Sequence, residues 1–144
     1  MDLLYKQIES IIDKDLPLVS NLSNVSSLLY KMGDINWAGF YFVQDDTLYL
    51  GPFQGDAACT RIEKGKGVCG TSFAKKETIV VPDVNQFPSH IACSSLSKSE
   101  IVTPIIKEGL VKAVIDIDAP IYDRFHKEEK EFLEKVSMLL SQLF

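Results

Sequence analysis

Three cysteines, Cys59, Cys69 and Cys93, and a pair of carboxylates two residues apart, Asp116 and Asp118, stand out as groups able to do chemistry. Cys93 lies in HIACSSLSKSE, His90 to Glu100, a polar and Ser-rich stretch with neither helical nor strand period. Free cysteine is normally among the most buried residue types. A thiol flanked by His, Ser and Lys therefore points to an exposed, chemically available sulfur. The spacing Cys59-x9-Cys69-x23-Cys93 contains none of the close pairs of a structural zinc site. His90 and Cys93 form an H-x2-C pair, the one element of a mixed site, and no metal is expected.

VIDID, Val114 to Asp118, alternates as a strand does. Leu110, Lys112, Val114, Asp116 and Asp118 then share one face, and Val111, Ala113, Ile115 and Ile117 the other. Two like charges at i and i+2 suit a solvated face. In a cleft they would instead hold a cation, with at least one carboxyl titrating high. Trp37 and Tyr41, at i and i+4 on a strand, also share a face. Such aromatics serve a core equally well, but with a carboxylate pair they suit a zwitterion whose ammonium needs charge and a π face. GKGVCG, Gly65 to Gly70, matches G-x-G-x-x-G. It follows a short polar strand late in the chain rather than the first strand of a βαβ unit. Asp83 comes too early, after a proline, to be the acidic residue a dinucleotide site needs about 20 positions on. The better reading is a tight turn into a helix, which would put Cys69 in a first turn where the dipole favours a thiolate.

The elements that must position these groups follow from periodicity. MDLLYKQIESIIDK places Leu3, Leu4, Ile8, Ile11 and Ile12 on one helical stripe. A second helix after Pro17 is expected to close at Gly33 as its C′ residue. Trp37–Val43 and Thr47–Leu50 form a hairpin, ACTRIEK a short strand, Val68–Lys75 a short helix, and TIVVPDV a strand stopped by Pro82. Asn85 to Ser99 is a long irregular connection, a kind that is often functional. EIVTPIIKEGLVKAVIDIDAP reads as a second hairpin turning at Glu108-Gly109. The terminal helix directs Phe125, Phe132, Leu133, Val136, Leu139, Leu140 and Leu143 inward. The expectation is one α+β domain over 1–144, a mainly antiparallel sheet flanked by N-terminal and C-terminal helices.

The 144 residues carry 15 Lys and Arg against 20 Asp and Glu, a net charge of -5, which argues against a nucleic-acid partner. No apolar run approaches the roughly 18 residues of a membrane span, and MDLLYKQIES lacks signal-peptide features. A cytoplasmic protein with reduced thiols is expected.

Taken in order, NWAGFYF, LGPFQGDAACTRIEKGKGVCG, DVNQFPSHIAC, SEIVTPI and VIDIDAP resemble the free methionine-(R)-sulfoxide reductases, which are single GAF domains. The likeness runs from about Asn36 through the terminal helix, and all three cysteines fall at the family's spacing. The resemblance implies that Cys93 attacks the sulfoxide, with Cys59 or Cys69 resolving. It implies a pocket for free methionine-(R)-sulfoxide lined by Glu100, Asp116 and Asp118, with Trp37 and Tyr41 as its aromatic wall. It implies no metal, flavin or nucleotide cofactor, thioredoxin as reductant and, by fold analogy, a homodimer. The family usually has Gly before the His of the cysteine loop and Asp after the Cys, where this chain has Ser89 and Ser94. The rival expectation is a GAF module that binds a small ligand, or senses redox state through its thiols, without catalysis.

Overall fold

The computed structural model describes residues 1–88 and 96–144, so the expectations for Ser89, His90, Cys93 and Ser94 lie outside the described residues. α1 (Asp2–Ile11) and α2 (Leu18–Leu29) open the chain, parted where Pro17 stands immediately before α2. Proline fits there because it has no N–H to lose at a helix start. Asn21 holds the connection from within α2, accepting from the Asp13 N–H and donating to the Asp13 carbonyl, each at 2.8 Å.

The expected stripe on α1 is only partly buried. Ile8 is inside and Leu4 and Ile12 pack against the core, but Leu3 and Ile11 face outward at 71% and 37% exposure. The reason is that α1 rides on α2 and α4 (Lys127–Leu140) rather than on the sheet, so only a narrow line of it meets protein. α2 also ends earlier than expected, at Leu29, and Gly33 takes its left-handed φ of 85° in the turns beyond.

β1 (Trp37–Gln44), β2 (Thr47–Gly55), β3 (Arg61–Glu63), β4 (Ile79–Val81), β5 (Ser99–Lys107) and β6 (Leu110–Ala119) form one antiparallel sheet among the described residues, in the order β3-β2-β1-β6-β5-β4. β2 runs on to Gly55 instead of stopping at Leu50. Beyond Tyr49 it has no pairing with β3, so Pro52 sits where no ladder bond is lost. A bulge in the β1–β2 pairing between Gly39 and Tyr41 absorbs the extra residue. β3 is shorter than expected, which leaves Cys59 in the β2–β3 connection. The β5–β6 turn is where the sequence puts it, with Glu108 and Gly109 both at positive φ, as a two-residue hairpin turn requires.

The sheet has an apolar layer on each side. Ala38, Phe40, Ile101, Ile105, Ile115 and Ile117 project into a core closed by α1, α2 and α4. The opposite face carries Trp37, Tyr41, Val102 and Val114, covered by α3 (Gly67–Lys75) through Val68, Cys69 and Phe73. Period-two alternation thus divides each central strand between a helix-covered core and the α3 face.

Close backbone approach explains Gly39. A Cβ there would stand 2.3 Å from the Cβ of Phe53 and 2.8 Å from the Pro52 carbonyl oxygen. Gly39→Ala should destabilise the fold by about 1–3 kcal/mol through overpacking, seen as a lower urea midpoint with unchanged slope. An unaltered midpoint would show that β2 yields freely.

Candidate active site

Strand register assembles the site. Trp37 on β1 lies opposite Asp118 on β6, which lies opposite Glu100 on β5. One step along, Gly39 faces Asp116, and Asp116 faces Val102; a further step pairs Tyr41 with Val114. Residues two apart share a face, so Glu100, Asp116, Asp118, Trp37 and Tyr41 all rise from the side that α3 covers. Gly39 contributes no side chain beside Asp116. Cys69 enters from the first turn of α3 and stands beside the Asp116 carboxylate. The ligand atoms of Cys69, Glu100 and Asp116 all lie within 4.8 Å of one another.

GKGVCG makes this entry possible through packing. A Cβ on Gly70 would stand 2.5 Å from the Glu63 carbonyl oxygen, so glycine lets α3 press against β3. The motif is a turn into a helix, as its context indicates.

The aromatic wall is a stack. The Trp37 ring is 5.2 Å from that of Phe53 at 15° and 6.0 Å from that of Tyr41 at 26°. Each polar tip is tied to the β2–β3 connection: Trp37 Nε1 donates to the Asp56 carbonyl at 3.0 Å, and the Tyr41 hydroxyl donates to the Cys59 carbonyl at 2.8 Å. Two rings of the wall therefore hold the segment that bears Cys59 against the site.

The carboxylates are not a solvated face. Glu100 and Asp116 are 8% and 6% exposed. Burial pushes the Glu100 carboxyl well above its ordinary range, and the charges of Asp116 and Asp118 push it further. Asp118 is raised by burial and then by Asp116. Asp116 is also raised by burial, but hydrogen bonds from Glu100, Cys69 and Asp118 oppose the shift. Asp116, whose rise the hydrogen bonds oppose, is thus the place where negative charge settles, while burial and neighbouring charge favour the neutral forms of Glu100 and Asp118. Burial and the charge of Asp116 likewise hold the Tyr41 hydroxyl neutral far above its usual range.

One expectation is overturned. Cys69 occupies the helical first turn where a thiolate would be favoured, yet its thiol is raised well above the ordinary value. Desolvation and the adjacent Asp116 and Glu100 outweigh the helix dipole, which contributes at most about 2 kcal/mol even in partly buried geometries. Cys69 is a buried free thiol, whereas Cys59 is disulfide-bonded.

Two supporting residues escaped the sequence reading. Ser97 donates to Asp118 Oδ2 at 2.9 Å, and Asn36 Nδ2 donates to Ser97 at 3.2 Å across 61 residues of chain. No spacing signal links them. The only hint is that Asn36 directly precedes the first aromatic strand and Ser97 lies within the Ser-rich stretch. Asn36 Oδ1, Asp116 Oδ1 and Asp118 Oδ1 are buried with no hydrogen-bond partner among the described residues. Buried acceptors left open in a native fold mark a place for a donor or a cation.

The sequence pattern of the GAF domain matches residues 17–144. The free methionine-R-sulfoxide reductase of Saccharomyces cerevisiae is 49% identical, over 99% of this chain and 84% of its own length. That of Escherichia coli is 41% identical, over 97% of this chain and 86% of its own. The X-ray structure of the Neisseria meningitidis free methionine-R-sulfoxide reductase in complex with its substrate superposes at a TM-score of 0.93. It is 41% identical and the match covers 98% of this chain and 86% of that one. A common fold at such identity, over nearly the whole chain, places this protein in the GAF domain family, among the free methionine-R-sulfoxide reductases.

Proposed function

We propose that this chain reduces free methionine-R-sulfoxide to methionine by thiol chemistry. The observation that carries the reading is the cluster of buried Glu100 and Asp116 with half-buried Asp118 beside the Trp37–Tyr41 stack, with open acceptor atoms on both aspartates. A free amino acid brings an ammonium to fill such acceptors, and Trp37 and Tyr41 offer it a π surface. A peptide-bound sulfoxide has no ammonium to give.

In the proposed reaction the Cys93 sulfur attacks the sulfoxide sulfur. Glu100, kept neutral by burial and by its like-charged neighbours, protonates the sulfoxide oxygen, which passes to the Cys93 sulfur as the substrate's S–O bond and the transient S–S bond break. Methionine departs and Cys93 is left as a sulfenic acid. A second thiol condenses with it, forming the S–S bond and releasing water. An external dithiol such as thioredoxin exchanges with that disulfide and restores both thiols. Asp116 and Asp118 hold the substrate ammonium.

Cys59 is the better resolving residue. It is bonded through sulfur already, whereas Cys69 is buried, protonated and turned toward Asp116. Cys59→Ser should therefore leave the first equivalent of methionine intact while slowing thioredoxin-supported turnover at least about tenfold. A thiol count after one equivalent of sulfoxide checks it: loss of two thiols in Cys59→Ser, as in the wild type, returns the role to Cys69.

The deciding assay offers the pure protein free L-methionine-R-sulfoxide, the S epimer and a peptide-bound sulfoxide, with dithiothreitol or thioredoxin as reductant. Turnover of the free R form alone is expected. Binding without turnover would make the chain a ligand-binding GAF module. No helix among the described residues is long and apolar enough to cross a membrane. A cytoplasmic location and a homodimer remain part of the proposal, the latter open to sedimentation equilibrium.

A further inference from the structure

We propose that Cys69, Glu100 and Asp116 form a site for a thiophilic divalent cation, zinc foremost, and that its occupation excludes the substrate's ammonium group. The proposed ion is an inhibitor that competes with substrate, and the reaction needs none. The competition rests on the reductase reading of this pocket, whereas the cation site itself does not.

Three observations converge. The donor atoms come one each from three different elements, α3, β5 and β6, and all lie within 4.8 Å of one another. Tetrahedral zinc with one sulfur and two oxygen ligands needs its donors roughly 3.3–3.5 Å apart, from its bond lengths of about 2.3 and 2.0 Å. A side-chain adjustment of about 1 Å closes the cluster, and the strands and helix that carry the donors are held by the sheet and by α3 packing. The donor set is mixed: one sulfur and two carboxylates match a borderline-soft ion, and exclude magnesium, which demands six oxygens in an octahedron. The third observation is independent of the cluster's spacing. Asp116 is 6% exposed, and its Oδ1 is buried without a partner among the described residues. An acceptor left open there calls for a positive group, and the ammonium and the cation would compete for it.

Cys69 also gains a role. It is neither the proposed nucleophile nor the proposed resolving thiol, yet it is buried against two carboxylates. A divalent ion replaces the Cys69 and Glu100 protons with metal–ligand bonds, releasing the protons to solvent.

The test uses the full chain with Cys59→Ser and Cys93→Ser combined, in which Cys69 is the remaining thiol of the three. Cobalt chloride should produce a thiolate-to-cobalt charge-transfer band that saturates at one equivalent. Zinc chloride should abolish it, magnesium chloride should leave it, and free methionine-R-sulfoxide should titrate it away. No band, or a band that survives the further change Cys69→Ser, overturns the site. Should the double variant fail to fold, zinc binding by reduced wild type and by Cys69→Ser decides the matter. One equivalent fewer in the variant is expected, and an equal stoichiometry overturns the proposal. A band that sulfoxide does not lower overturns the competition and leaves the cation site. Failure of wild-type turnover would instead strike the reductase reading, with the band unaffected.

Discussion

Cys93→Ser should lower kcat for free methionine-R-sulfoxide by at least about a thousandfold, since loss of a nucleophile costs at least that much where the group acts within a unit. A hydroxyl cannot replace the thiolate, because its proton is far harder to remove and its oxygen cannot accept the sulfoxide oxygen as sulfur does. The binding groups Trp37, Tyr41, Glu100, Asp116 and Asp118 stand on other elements, so Kd for the product methionine should stay within about threefold of wild type. Rapid-quench measurement of methionine in a single turnover, with calorimetric binding of methionine, checks both parts. Full activity in Cys93→Ser would move the attack to another thiol.

The second large effect concerns Glu100. Its carboxyl is raised well above the ordinary range by burial and by the charges of Asp116 and Asp118. It is the acid of the proposed step, so Glu100→Gln should cut kcat about 10²–10⁴-fold. Asp116→Asn should act differently, raising KM through loss of the ammonium's partner. Glu100 also links the site to stability. Its folded carboxyl titrates above the ordinary 4.5, so in the interval between the two values the native chain binds more protons than the unfolded chain. Stability from this group is therefore complete below pH 4.5 and declines as pH rises through the folded value. Gln is neutral throughout, so Glu100→Gln should show a shallower fall of Tm with pH than the wild type, and a higher Tm at pH about 7. Parallel slopes in the two proteins would count against a buried, raised Glu100.

Much of this was open to sequence reading because it depends on local rules. Alternation in VIDID assigned Asp116 and Asp118 to one side of a strand before any partner was known. The i, i+4 spacing of Trp37 and Tyr41 did the same, as did Glu108-Gly109 for the turn between β5 and β6. Where local rules misled, a neighbour was responsible. Leu3 and Ile11 fit a helical stripe, but α1 packs mainly on α2 and α4, so these two of the five stripe residues face outward. Cys69 sits where a helix dipole favours a thiolate, but the dipole is a small term beside burial against Asp116 and Glu100.

The sequence alone therefore determined which residue types are present, which of them share a strand face and, through family likeness, which reaction to test. Only the tertiary structure decided that β6 lies between β1 and β5, which sets Glu100, Asp118 and Trp37 in one row. Only it decided that α3 closes this face, so that an acidic strand end becomes a buried cluster with open acceptor atoms. The physical reason is that strand order and helix placement are set by contacts between residues far apart in the chain, as with Asn36 and Ser97, 61 residues apart. Spacing along the chain carries no record of such contacts, and the protonation of Glu100, Asp116 and Cys69 depends on them.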